Sequence, residues 1–363
     1  MAMRIESLHL TSFRNFEDAH IEFCPGVNVF YGHNGSGKTN LLEALYVCSL
    51  GRSQRTANDA AMVRDGNDIY RVECGLISED NDYKVAVAYQ KGGRKKVTVD
   101  GVGVRLSQLF RLFSAVSVGP EDSEIVSGSP GKRRTFIDIH LSQLSSSYLD
   151  NLTDYLRCVS QRNAALKNGA DPSPFDELMV TIGSKVMVGR AEYIAQMTPM
   201  AAKYYRDISS GGELTIEYTP KVPVEATASC EEIEAAFNQR LRMIAAREQA
   251  AGVSLIGPHR DEATLTINNL PARTHGSQGE WRTAAIALKL AAYNILRDKR
   301  ETPPVLLLDE IFAELDDRRT EALIAGFEGF SQLFLTTATR PPQALHEIGR
   351  SFRIETGRVA EIQ

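Results

Sequence analysis

Gly32-His33-Asn34-Gly35-Ser36-Gly37-Lys38-Thr39 is the stretch from which the rest of the chain can be read. It satisfies the pattern G-x-x-x-x-G-K-T in full. Val27-Asn28-Val29-Phe30-Tyr31 before it reads as a strand, and the residues from about Thr39 to Leu50 read as a helix that Gly51 stops. Glycines in such a loop let the backbone close on phosphate oxygens in conformations a side chain would block. The exposed N–H groups and the positive end of the helix attract an anion. Lys38 is placed to reach the β- and γ-phosphates, and the Thr39 hydroxyl to coordinate Mg²⁺. Strand, loop and helix together predict a P-loop NTPase of the α/β class that takes ATP with Mg²⁺.

Further along, Val305-Leu306-Leu307-Leu308-Asp309-Glu310 reads as a buried apolar strand ending in two carboxylates. Asp309 is suited to hold the Mg²⁺, and Glu310 to polarise an attacking water. Many strands end in Asp-Glu, so the pair gains its meaning from the loop at Gly32. Ahead of it lies Gly276-Ser277-Gln278-Gly279-Glu280, opening a strongly helical stretch at Trp281. Ser277 and Glu280 have the spacing of a capping box. Capping alone would account for that spacing, and a capped helix start is also an anion site.

The remainder divides by pattern. Residues 4–10, 70–77, 83–90 and 96–104 are β-rich, with Asp100-Gly101 marking a hairpin. From about Pro120 to Arg247 helical spacing dominates, broken by a β-like piece at Leu214 to Tyr218. Strands return at Ala263 to Ile267, Val305 to Leu308 and Leu333 to Thr336, and residues 352–359 read as a hairpin. The expected organisation is an ATPase lobe over 1–118, a mainly helical lobe over 119–299 and a return to the first lobe over 300–363.

Apolar residues make up 43% of the chain and charged residues 24%, as in a globular protein. No apolar run is long enough to span a bilayer, so no membrane partner is expected. The five cysteines are scattered, as for reduced thiols in the cytoplasm. The net charge of −5 does not favour nucleic acid, but binding depends on local patches. Basic clusters stand at Lys91, Arg94, Lys95 and Lys96, at Lys132-Arg133-Arg134, and from Arg297 to Arg300; each is as readily a solvated face.

Ser277-Gln278-Gly279-Glu280 ahead of the Asp-Glu strand resembles the signature motif of ABC-type ATPases. Ala313-Glu314-Leu315-Asp316 after it resembles their D-loop. With a P-loop near the opposite end of the chain, the arrangement is similar to the ATPase heads of the SMC and Rad-fifty group. Ser12-Phe13-Arg14-Asn15-Phe16, Ser53-Gln54-Arg55-Thr56, Gly119-Pro120-Glu121-Asp122, the segment Pro130 to Asp138, Gln161-Arg162-Asn163 and Gly257-Pro258-His259-Arg260-Asp261 narrow the resemblance to the RecF family of bacterial recombination mediators. The resemblance spans the chain.

It implies an ABC-type head with a mixed-sheet lobe and a helical lobe. It implies nucleotide contacts from Arg14 and Asn15 beside the P-loop. Lys38, Glu310 and Ser277 would be catalytic, with Ser277 acting on ATP bound by a second copy. Ser277 to Glu280 and Asp316 would line that dimer interface. It implies DNA repair at gaps, on duplex DNA and at single-strand/double-strand junctions, with RecR and RecO as partners and loading of RecA, and links to replication restart and the SOS response. Arg55, Arg94, Lys95, Lys96, Lys132, Arg133 and Arg134 are the candidate DNA contacts. Where ABC ATPases carry a switch histidine after the Leu333 to Thr336 strand, this chain has Thr337-Ala338-Thr339, and His346 lies far along; Val118 to Asp122 holds no transmission glutamine. Both departures imply slow, DNA-gated hydrolysis. The alternatives are a nucleotide-switched scaffold with little hydrolysis and an ABC transporter ATPase subunit. The latter would bring the P-loop and Asp-Glu strand much closer in sequence.

Overall fold

A computed structural model describes residues 4–77, 81–209, 211–225, 227–311, 330–339 and 349–362. In chain order its elements begin with strands β1 (Arg4–Phe13), β2 (Phe16–Glu22) and β3 (Val27–Tyr31), then helix α1 (Lys38–Leu50). Strands β4 (Ile69–Ile77), β5 (Asp82–Gln90), β6 (Lys96–Val99) and β7 (Val102–Gly103), helix α2 (Leu106–Leu112) and strand β8 (Ala115–Val118) follow. Next come helices α3 (Glu124–Ser127), α4 (Pro130–Leu144), α5 (Ser146–Lys167) and α6 (Asp176–Ser209), strand β9 (Leu214–Thr219) and helix α7 (Cys230–Ala251). Strands β10 (Glu262–Ile267) and β11 (Leu270–Pro271) lead to helices α8 (Ala272–His275) and α9 (Gln278–Lys299). Last are strands β12 (Val305–Leu308), β13 (Leu333–Thr337), β14 (Gly349–Glu355) and β15 (Arg358–Ile362).

Two compact units result: Met1–Asp122 with Ala292–Gln363, and Ser123–Ala291. The first holds two six-stranded sheets, in the orders β2-β1-β4-β5-β6-β7 and β15-β14-β3-β13-β12-β8. The former is antiparallel throughout. In the latter β14, β3, β13, β12 and β8 run parallel and β15 closes the edge antiparallel. Leu41 to Leu50 of α1 are all buried, and the helix touches strands of both sheets. A helix buried all round is mostly apolar, as Leu41, Leu42, Ala44, Leu45, Val47 and Leu50 are here, and its buried carboxylate, Glu43, is ion-paired. Gly51 ends it in the left-handed region, its N–H donating to the Val47 carbonyl.

The Asp100-Gly101 turn is as read: φ is 50° and 81° at its two central residues, the geometry of a tight hairpin. Three strands lay outside the sequence reading: β2, β8 and the two-residue β11. In β2 only Phe16, Ala19 and Ile21 are buried, an imperfect alternation. In β8 four buried residues, Ala115-Val116-Ser117-Val118, are too few to show a period.

The second unit is built on α4 to α7 with the small sheet β11-β10-β9. Its centre is polar as well as apolar. Buried Arg190 is bidentate to Asp138 and donates to the Pro258 carbonyl. Buried Arg162 reaches Asp176, Ser254 and Glu248. Buried charges persist only when so paired.

Candidate nucleotide site

The P-loop leaves β3 and enters α1 within the first unit. Gly37 is the N-cap at φ 116°, and a Cβ there would lie 2.6 Å from the Asn15 amide nitrogen. Gly32 has φ 154°, with the Ile354 carbonyl oxygen 2.4 Å from where its Cβ would stand. Side chains are therefore excluded at both positions by space as well as by dihedral. Ser36 Oγ is buried and has no hydrogen-bond partner among the described residues.

Lys38 is buried, with Nζ donating to the carbonyls of Gly32 at 2.9 Å and His33 at 3.1 Å. It also lies 3.4 Å from a Glu310 carboxylate oxygen. The loop is thus curled around its own lysine, and the candidate base shares that lysine. Thr39 Oγ donates to Asp309 Oδ1 at 3.0 Å, joining the helix start to the end of β12. Burial pushes the Asp309 carboxyl above the usual carboxylate range, and the neighbouring Glu310 adds to the rise; the Thr336 and Thr39 hydroxyls work against it. A hydroxyl and one carboxylate fit Mg²⁺, which takes few protein ligands and completes its shell from phosphate and water.

Asn15 and Arg14 are brought beside the loop, each with a structural task. Asn15 Nδ2 donates to the Ser36 carbonyl at 2.9 Å, and its Oδ1 accepts from Asn40 at 2.8 Å. The Gly357 N–H gives the same Ser36 carbonyl a second bond at 3.0 Å. Arg14 is bidentate to Glu43, which is fully buried on α1, and donates to the Ala61 carbonyl. Ser53 and Arg55 also bond Glu43, and Arg55 reaches Asn40 Oδ1 at 3.0 Å. Arg55 thus stands beside the nucleotide loop.

In the second unit Ser277, Gln278 and Gly279 are exposed at the start of α9. The capping box is formed: the Ser277 N–H and hydroxyl each donate to Glu280 Oε2 at 2.8 Å, and the Glu280 N–H donates to Ser277 Oγ at 3.3 Å. Asp316, with the rest of the D-loop, and His346 lie outside the described residues.

The basic clusters divide. Arg94 and Lys96 are exposed on the β5–β6 hairpin, while Lys95 is paired with Asp59 at 2.8 Å. Lys132 is exposed and paired with Glu124. Arg133 corrects the expectation of a phosphate contact. It is 5% exposed, bidentate to Glu262, and donates to the carbonyls of Ile125, Val126 and Gly128. Each of its three guanidinium nitrogens donates to protein, and the buried side chain is committed there instead of to a phosphate. Arg134 is half-buried and donates to the Asp261 carbonyl at 2.6 Å. His259, from the same family motif as Asp261, meets the Tyr155 hydroxyl at 2.7 Å and the Ser254 carbonyl at 3.2 Å.

Sequence reading missed Thr336, Glu43 and Gly357. No local signal could have found them, since each acts through strand or helix register with residues far away in sequence.

The RecF/RecN/SMC N terminal domain family matches residues 4–355. The chain is 34% identical to the DNA replication and repair protein RecF of Bacillus velezensis, over 98% of this chain and 99% of that protein. The chain belongs to the RecF family. A solved structure of the recombination mediator protein RecF-ATP in the RecFOR pathway has a TM-score of 0.92 at 30% identity, covering 100% of this chain and 98% of that one. A Pyrococcus furiosus Smc head domain shares the fold, with a TM-score of 0.59 at 15% identity over 99% of this chain and 96% of that chain. RecF-family membership and this likeness make the fold that of an ABC-type ATPase head.

Proposed function

We propose that this RecF-family chain is an ATP-dependent, DNA-binding recombination mediator whose nucleotide site is completed by a second copy. The observation that carries the reading is the meeting of Lys38, Thr39, Asp309 and Glu310 in one unit, while the capped serine Ser277 stands exposed on the other. Family membership and the ATP-bound relative support the nucleotide. Lys38 already lies among loop carbonyls and a carboxylate, and a bound triphosphate competes with Glu310 for its charge. Thr39 and Asp309 would hold the metal, which would supply charge neutralisation at the phosphates. Glu310 orients the water.

On this reading two chains face each other across two ATP molecules, each held by Lys38 of one and Ser277 of the other. Such a ligand favours only the closed dimer. The dimer clamps duplex DNA through phosphate contacts, largely without regard to sequence, and hydrolysis releases it. Arg94, Lys96 and Lys132 are exposed candidates for those contacts, as is Arg55 near the nucleotide loop. Action at gaps and single-strand/double-strand junctions with RecR and RecO, loading of RecA, and roles in replication restart and the SOS response complete the proposal.

Ser277→Arg tests it. A fluorescent ATP analogue should bind the variant as it binds the parent, while light scattering with ATP should report monomers and hydrolysis should stop. Loss of ATP binding by the single subunit would show that the site is not shared. ATPase rates with and without duplex DNA separate this reading from a scaffold that hardly hydrolyses.

A further inference from the structure

Strand β13 lies between the strand that delivers the P-loop and the strand that delivers the acid pair. Its register sets Thr336 opposite Phe30 of β3 on one side. On the other, Leu335 pairs with Leu308, so Thr336 comes level with Asp309. Thr336 is fully buried. Its hydroxyl donates to Asp309 Oδ1 at 2.7 Å and accepts the Glu310 N–H at 2.9 Å. Asp309 Oδ1 receives the Thr39 hydroxyl as well. One hydroxyl therefore touches both members of the acid pair, one through its carboxylate and the other through its backbone.

Glu310 has a φ of 47°, in the left-handed region that a glutamate enters only at a cost. The bond from its N–H to Thr336 is one of the restraints that keep it there. Without that restraint the residue would be free to relax toward an ordinary φ, swinging its side chain away from Lys38.

We infer that Thr336 is a positioning residue for ATP hydrolysis, orienting the Asp309 carboxylate toward the metal and holding the Glu310 backbone in the turn that presents its side chain. The inference rests on the ATPase reading above. Valine has the shape of threonine without the hydroxyl, so Thr336→Val removes both bonds and leaves the packing. Serine keeps the hydroxyl and loses a methyl. Thr336→Val should bind ATP in EDTA as the parent does, and should lose about tenfold or more of both the Mg²⁺-dependent gain in ATP affinity and kcat, the usual scale for a group that orients a metal ligand. Thr336→Ser should stay within about twofold of the parent in both.

Parental Mg²⁺ dependence in Thr336→Val overturns the inference, as does a Thr336→Ser variant impaired as badly as Thr336→Val, because packing would then be the whole role. If Thr336→Val does not fold, Thr336→Ala takes its place with the same expected losses. The EDTA and Mg²⁺ binding arms need no turnover. A parent that binds Mg²⁺–ATP without hydrolysing it would speak against the ATPase reading and leave the binding comparison to decide Thr336.

Discussion

At the scale of single residues, the nucleotide site depends on side chains whose work is directed at the protein. Asn15 illustrates this. Its amide holds the Ser36 carbonyl, fills the space that Gly37 leaves, and accepts from Asn40. Asn15→Asp keeps the shape and the acceptor for Asn40. It replaces the donor to Ser36 with a carboxylate oxygen facing a carbonyl. Losing one bond and gaining a repulsion should weaken ATP binding by about tenfold, roughly 1.4 kcal/mol. A nucleotide titration checks it, and an unchanged affinity would mean that the Gly357 bond suffices to hold the loop. Arg133 shows the opposite lesson for reading charge. In sequence it is the middle of three basic residues; in the fold it alone of the three is buried.

At the scale of elements, the helical unit carries a pH sensitivity that the nucleotide site does not need. Burial holds His140 of α4 at a pKa of about 3, with the Lys289 charge helping, and holds His259 at about 4. Unfolded, both titrate near 6.5. Below that value the unfolded chain takes up protons that the folded unit refuses, so stability falls as the pH falls. Each histidine contributes about 2 kcal/mol of that loss between pH 7 and pH 5. Asp261, raised by burial, pulls the other way at lower pH. His140→Gln retains a donor for the Phe136 carbonyl that His140 Nδ1 meets at 2.7 Å and removes one titration. Urea unfolding at the two pH values should show a smaller difference for the variant than for the parent by about 2 kcal/mol. An equal difference would place the acid sensitivity elsewhere.

Elements also explain what was legible. The P-loop, the apolar β12 with its two acids and the Ser277 capping box are contiguous, and each obeys a local rule of spacing or dihedral. β8 and the role of Thr336 are not local. β8 is four buried residues beside β12, and Thr336 matters only because parallel pairing sets it level with Asp309. Charge clusters were the least informative, because burial decides what a charge can reach and sequence alone does not show burial.

At the scale of the whole molecule, the site unites distant parts of the chain. The loop at residues 32–39 and the acids at 309 and 310 meet because the chain leaves the first unit after Asp122 and returns at Ala292. The strand that ends at Tyr31 has β13 on one side and β14 on the other, and both belong to the last stretch of the sequence. During synthesis β3 therefore emerges long before the two strands that enclose it. Until residues 333–355 have left the ribosome, both its edges are open and the Gly32 turn has no Ile354 behind it. A chain stopped at residue 330 keeps every P-loop residue and should show no ATP binding by equilibrium dialysis, whereas the full chain should bind. Loading with nucleotide then requires that residues 333–355 have been made, and on the proposed reading a chain interrupted before them stays out of the dimer that ATP would hold together.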